Sequence, residues 1–370
     1  MKAILTCAGT GGHIYPAIAI ADKIKKEDPD AEILFIGTKA GMENTLVPKA
    51  GYNITGIDAS GFNRSELMKN FKTLDNIVKG TVQARKILKE FKPDVVIGTG
   101  GYVTGPVVST AASMGIKTCI HEQNAIPGMA NKMLEGAVKK VFISFEDSKK
   151  YFKHPEKTIL SGNPIRADFL TLDPAYCRRK LGVTDDTFAV LAFGGSLGAE
   201  MLNKAVIRMT ERMVSPEGQA LGKVKLFFVT GKRYYDEIHA AMDLNRLGDM
   251  VQLIPYADNM PELILASNVV ISRAGAIAVS EIMASGKPSI LIPSPNVTND
   301  HQYHNAKAIA DAGAAVLLEE KNLGDTFDGL ADAVFALCKD EKAAAAMAEA
   351  ARRTGSTTAT DIIYENLKNL

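Results

Sequence analysis

Three glycine-rich stretches hold the residues of this chain best suited to chemistry. They are Gly9-Thr10-Gly11-Gly12-His13, Gly98-Thr99-Gly100-Gly101-Tyr102-Val103-Thr104-Gly105-Pro106 and Gly194-Gly195-Ser196-Leu197-Gly198-Ala199. Glycine permits positive φ and removes the Cβ that would keep a ligand away from the backbone. Each stretch follows a short apolar run and precedes a helical pattern, so its amides meet a helix start, where phosphate is favoured. A dinucleotide-binding dehydrogenase is the rival use. Its third glycine would fall at Ile14, and the second strand ends Gly37-Thr38-Lys39 with no acid to hold a ribose. No Gly-x-x-x-x-Gly-Lys-Ser/Thr occurs, which removes a P-loop NTPase. His301 and His304 have helical spacing without a nearby third ligand, and no Asp-x-Asp stands out, so neither a metal nor another cofactor is expected.

The elements that must position these loops alternate along the chain. Apolar runs at 3–7, 33–36, 95–97, 118–120 and 141–143 are separated by helical patterns and read as buried parallel strands. The second half repeats the grammar with runs at 188–193, 226–229, 251–254, 269–272, 289–292 and 315–318. The reading is α/β, with two Rossmann-like doubly wound domains. Loops at the carboxyl ends of such strands converge on the binding crevice, so two sheets facing a cleft are expected. At 370 residues the chain also exceeds what one core usually supports. Ser161-Gly162-Asn163-Pro164 breaks regular structure, giving expected domains at 1–163 and 164–345. Residues 346–370 are expected to form a terminal helix that crosses back to the first domain.

Composition narrows the setting. Hydrophobic residues make up 46% and charged residues 23%, as in ordinary globular proteins. No run of about 18 apolar residues suggests a membrane span, and no leader is expected ahead of the first strand. The four scattered cysteines fit a reducing cytoplasm. A formal charge of +1 predicts no bulk attraction to nucleic acid. One local exception is 64–92, where eight basic residues face three acidic ones. There Leu67, Phe71, Leu74 and Val78 recur on one helical face, with Lys72 beside them. The two readings are an amphipathic helix on its own core and a peripheral contact with anionic lipid.

Several motifs together resemble the MurG family: Gly9 to Ala17 of the first loop and helix start, the loop 100–106, His121-Glu122-Gln123-Asn124, and the loop 194–199. Arg273 to Glu281, Gly286-Lys287-Pro288 and His301-Gln302-Tyr303-His304-Asn305-Ala306 complete the set. The resemblance implies a GT-B fold. It also implies an inverting glycosyltransferase that moves GlcNAc from UDP-GlcNAc to O4 of MurNAc in undecaprenyl-pyrophosphoryl-MurNAc-pentapeptide, turning lipid I into lipid II. The implied partners are UDP-GlcNAc, lipid I and the anionic cytoplasmic face of the bacterial plasma membrane, together with other cell-wall synthesis proteins. Alternatives of the same architecture are a glycolipid synthase or a UDP-GlcNAc 2-epimerase. A non-catalytic UDP-sugar sensor is the alternative from another class.

Carried onto this sequence, the resemblance implies that Glu281 accepts bonds from the ribose hydroxyls. Ala276, Ile277, Ala278, Val279 and Ser280 would lie beside the diphosphate, and Ser196 would bind phosphate oxygens. Arg166 would touch the nucleotide, the backbone of Ala257 the uracil, and Gln302 and Asn124 the sugar. Thr10, Gly11 and Gly12 count among the donor contacts and also, with His13, face the acceptor pyrophosphate. Gly100, Gly101, Tyr102, Thr104 and Gly105 would join them on the acceptor side. His13 is the first candidate for general base and Glu122 the second; a purely structural role for His13, holding the glycine loop, competes with catalysis.

Overall fold

The computed structural model describes residues 1–370 apart from 61–69, 196–197 and 325, and apart from the side chains of 70–74. In its first half the short apolar runs become β1 (Lys2–Cys7), β2 (Glu32–Thr38), β3 (Asn53–Ile57), β4 (Val95–Gly100), β5 (Lys117–Glu122), β6 (Lys140–Ile143) and β7 (Thr158–Leu160). All pair in parallel, in the order β3-β2-β1-β4-β5-β6-β7. Growing outward from β1 and β4 in both directions places the connecting helices on both faces, because parallel crossovers keep one hand. β1 shows the result. Its Ala3 and Leu5 pack with α1 (Gly11–Glu27), α2 (Glu43–Lys49) and the terminal helix Ala359–Lys368. Its Ile4 packs instead with α3 (Asn70–Phe91) and α4 (Thr104–Ser113). A strand buried on both faces loses polar alternation, which is why these runs read as continuous apolar stretches.

The second half forms β8 (Thr187–Phe193), β9 (Lys223–Val229), β10 (Val251–Ile254), β11 (Val269–Ser272), β12 (Ser289–Leu291) and β13 (Ala315–Leu317). These too are parallel, in the order β10-β9-β8-β11-β12-β13. Val190 and Ala192 of β8 meet Leu202, Val206 and Met209 of the helix Glu200–Met213 and Leu330 and Val334 of the helix Asp328–Lys339. Elsewhere the helix Met260–Ala266 ends against Lys287, whose Nζ donates to the carbonyls of Leu265 (2.7 Å) and Ser267 (2.9 Å). Burial pushes that ammonium down to about 8.

The chain divides into two compact units, Met1–Arg166 with Thr357–Leu370, and Ala167–Ser356. The changeover thus falls at 166/167 and 356/357, where 163/164 and 345/346 were expected. The later return has a packing cause. Helix Glu341–Thr354 lies on the helix Ala276–Ala284 of the second unit, and Ala344 and Met347 join the second core. Gly355 closes the contact, since a Cβ there would lie 2.6 Å from the Met283 carbonyl oxygen. Ile363, Tyr364 and Leu367 of the terminal helix then pack in the first core beside Ile14 and Ile18 of α1. Lys140 Nζ also donates to Asn366 Oδ1 at 2.7 Å.

Candidate active site

In a parallel sheet every strand delivers its carboxyl end to one edge, and the break in winding direction opens a crevice there. The first unit breaks between β1 and β4, so the loops after Cys7 and Gly100 lie side by side, with Ala8 N donating to Gly100 O at 3.2 Å. His13 sits in the first turn of α1. Its Nδ1 lies 3.1 Å from Thr99 O and 3.2 Å from Gln123 Oε1, while Thr99 Oγ1 donates to His13 O at 2.7 Å. Gly11 and Gly12 open α1, where first-turn amides have no helical partner, and Thr10 is the N-cap without a side-chain cap bond.

The buried Glu43 of α2 ties this loop to its neighbour. One carboxylate oxygen accepts from Gly9 N at 3.2 Å, the other from Thr38 N at 3.0 Å and from the Thr38 hydroxyl. Burial works against its charge, but these bonds prevail and hold the carboxyl below its ordinary range.

The loop after β4 differs from expectation. Gly100 has φ +121°, and a Cβ there would lie 2.3 Å from His13 Nδ1. Gly101 has φ +87°, and its Cβ would meet Ala8 O at 2.4 Å. Both glycines therefore admit a neighbouring part of the protein, where a ligand was expected. Thr104 is likewise buried: its Oγ1 donates to Gly100 O at 2.8 Å and accepts from Gly100 N at 3.2 Å. Its hydroxyl closes the loop. Gly105 has open space where a Cβ would stand, and Tyr102 is exposed.

Glu122 ends β5 and is only 2% exposed. Its Oε1 accepts from Asn124 N (2.9 Å) and Asn124 Nδ2 (3.2 Å), and its Oε2 from Gly128 N and Asn131 Nδ2 (2.8 Å each). Four donors fill the carboxylate, so its geometry is that of a loop anchor. At the end of this unit the Arg166 guanidinium lies 4.8 Å above the centre of the Tyr15 ring.

The second unit breaks between β8 and β11. After β8, Gly194 and Gly198 are required by close packing. A Cβ on the first would stand 2.5 Å from Ala199 N, and on the second, at φ +77°, 2.4 Å from Thr230 O. Ser196, between them, lies outside the described residues. After β11, Arg273 Nη1 donates to Ile292 O (3.1 Å) and Pro293 O (3.2 Å), and the guanidinium pairs with Glu320. That clamp fixes the strand end from which the helix Ala276–Ala284 starts. Ala276, Ile277 and Ala278 form its open first turn, whereas Val279 N already donates to Gly275 O at 3.0 Å and its side chain is buried. Val279 therefore lacks the group expected of it. Glu281 lies further along this helix, 6% exposed. Gln302 Oε1 accepts from Ser294 N at 2.9 Å, which directs its NH2 as the group left to donate. Ala257, just past β10, is buried, so any contact it makes is through its backbone.

Along α3, Gly80, Ala84 and Leu88 face the first unit, while Val78 and Val82 are 58% and 66% exposed. Leu67 lies outside the described residues, as do the side chains of Phe71, Lys72 and Leu74. Among the described residues no helix is long and apolar enough to cross a membrane.

Sequence reading missed Gln123, Thr99 and Glu43. Gln123 stood in a quoted motif, but nothing in its type announced a partner 110 positions away.

Residues 3–143 match the glycosyltransferase family 28 N-terminal domain and residues 189–363 its C-terminal domain. The UDP-N-acetylglucosamine--N-acetylmuramyl-(pentapeptide) pyrophosphoryl-undecaprenol N-acetylglucosamine transferase of Acetivibrio thermocellus is 44% identical, over 100% of this chain and 98% of that protein. A crystal structure of Acinetobacter baumannii MurG superposes with a TM-score of 0.76 at 26% identity, covering 100% and 99% of the two chains. The UDP-GlcNAc 2-epimerase of Neisseria meningitidis, bound to UDP-GlcNAc, shares the fold at 15% identity, with a TM-score of 0.69 and 100% of both chains covered.

Proposed function

Since the chain belongs to glycosyltransferase family 28, in its branch of N-acetylmuramyl-pyrophosphoryl-undecaprenol N-acetylglucosamine transferases, we propose that it transfers GlcNAc from UDP-GlcNAc to O4 of the lipid-linked MurNAc-pentapeptide. The observation that carries this is the identity to such a transferase along the whole chain. The two crevice edges support a division of labour. In the second unit Glu281 accepts the ribose hydroxyls, the first-turn amides of Ala276, Ile277 and Ala278 and the Ser196 loop face the diphosphate, and the Gln302 NH2 holds a GlcNAc hydroxyl. Ser280 and the Ala257 backbone complete the donor contacts, with Arg166 and Asn124 from the first unit.

In the first unit the amides of Gly11 and Gly12, with Thr10, Gly105 and Tyr102, serve the acceptor pyrophosphate. His13 takes the O4 proton on Nε2 as O4 attacks C1 of GlcNAc. The C1–oxygen bond to the β-phosphate breaks, the configuration inverts, and UDP leaves with its new charge facing helix-start amides. His13 serves as base in preference to Glu122 because the carboxylate of Glu122 already accepts four bonds. The exposed valines of α3 and the basic residues around them support the reading of a peripheral contact with anionic lipid at the cytoplasmic membrane face, where such an acceptor resides.

The test is transfer of radiolabel from UDP-GlcNAc to a short-chain lipid I analogue. Labelled disaccharide product is expected; none from folded, UDP-binding protein overturns the reading. Formation of UDP-ManNAc without acceptor would identify an epimerase instead.

A further inference from the structure

Beneath His13 runs a buried polar chain whose proton positions are fixed by elimination. His121 Nε2 lies 3.0 Å from Gly162 O, an acceptor only, so Nε2 carries the hydrogen and the Nδ1 of a neutral ring must accept. It does so from Gln123 Nε2 at 3.0 Å. The Gln123 amide can face only one way, because its nitrogen also lies 2.7 Å from Thr99 O and 3.2 Å from His121 O. An oxygen there would meet two carbonyls. Its Oε1 therefore points at His13 Nδ1, whose other neighbour is again the Thr99 carbonyl. Both neighbours of Nδ1 are oxygens without a hydrogen, so Nδ1 carries the proton and the lone pair of a neutral His13 is on Nε2. Burial of His121 disfavours its charged form and pushes it down to about 4, which keeps its Nδ1 an acceptor.

We propose that Gln123 and His121 are positioning residues for the transfer reaction, selecting the Nδ1–H form of His13 and fixing its ring so that Nε2 is the basic nitrogen. The proposal rests on the reading of His13 as base. An amide oxygen orders the ring without the negative charge that an aspartate would bring in the same place, and the backbone of Gly162 anchors the far end. Neither residue needs to touch substrate.

The test uses full-length, 15N-histidine-labelled protein and long-range nitrogen–proton spectra, with His13→Gln identifying the His13 signals. Wild type should show the Nδ1–H form alone. Gln123→Met should add the Nε2–H form, lower kcat roughly 10- to 100-fold and leave KM for UDP-GlcNAc within about twofold. His121→Leu removes the acceptor beyond the amide together with the bond to Gly162 O, and should give a smaller fraction of Nε2–H; it decides the matter should Gln123→Met not fold. An undiluted Nδ1–H form in the folded variants overturns the proposal, whatever their turnover. Wild-type turnover in His13→Gln would instead sink the base reading, leaving the spectra to stand on their own.

Discussion

Glu122 at the end of β5 and His13 in the first turn of α1 lie along one sheet edge, and their neighbours give them opposite duties. Replacing Glu122 by Gln would set an NH2 against donors now received by the carboxylate from Gly128 and Asn131. Such a change should cost about 1–3 kcal/mol for each donor left unpaired, read as a lower urea midpoint. His13→Gln should leave that midpoint nearly unchanged while kcat falls roughly 10²- to 10⁴-fold and the acidic limb of the pH–rate profile disappears. Glu281→Gln should raise KM for UDP-GlcNAc roughly 10- to 100-fold, the worth of charge-assisted bonds to hydroxyls.

His121 carries a pH signature. Its folded value of about 4 lies below the ordinary 6.5, so between those values the unfolded chain binds the proton and the folded one does not. Stability from this group is therefore complete above 6.5, is lost as pH falls toward 4 and changes no further below. The loss is on the order of 3 kcal/mol. The difference in urea unfolding between wild type and His121→Gln should shrink across that window; a difference independent of pH would refute the assignment. Residue types announced His13, Glu122 and Glu281, but not what surrounds them. What fills a carboxylate, or what a missing Cβ admits at Gly100, is set by long-range contacts that no local pattern encodes.

At the scale of elements, the strand grammar was legible wherever a strand is buried on both faces. β3 went unnoticed because Asn53-Ile54-Thr55-Gly56-Ile57 interleaves polar and small residues, and β7 because it is only Thr158-Ile159-Leu160, whereas the edge strands β10 and β13 keep apolar runs and were read. Helix α3 was legible as amphipathic, yet its contact with the sheet depends on Gly80, where a Cβ would strike Asp58 O at 2.2 Å. The terminal helix was readable as a helix from Ile363, Leu367 and Leu370. Its docking on α1 rests on a fully buried Ile363. Ile363→Ala should destabilise the first unit by about 2–5 kcal/mol, seen as increased hydrogen exchange in α1. Protection in the second unit should be unaffected.

At the scale of the molecule, Val78 and Val82 expose apolar surface on a helix that also carries Lys79, Arg85, Lys86 and Lys89. Val78→Glu with Val82→Glu should abolish flotation with phosphatidylglycerol vesicles, while transfer to a short-chain, water-soluble acceptor stays within about twofold of wild type. Undiminished flotation of the folded variant would exclude this face as the lipid contact. The order of assembly follows from connectivity. Because Ala167–Ser356 lies between the two segments of the first unit, a ribosome makes the strands of that unit long before the helix that covers α1. At ordinary elongation rates the delay is roughly 10 to 40 s. Throughout that interval the nascent first unit presents Ile14, Ile18 and their neighbours without their last covering, which makes it a client for holding chaperones and, when translation stalls inside the second unit, a target for proteolysis.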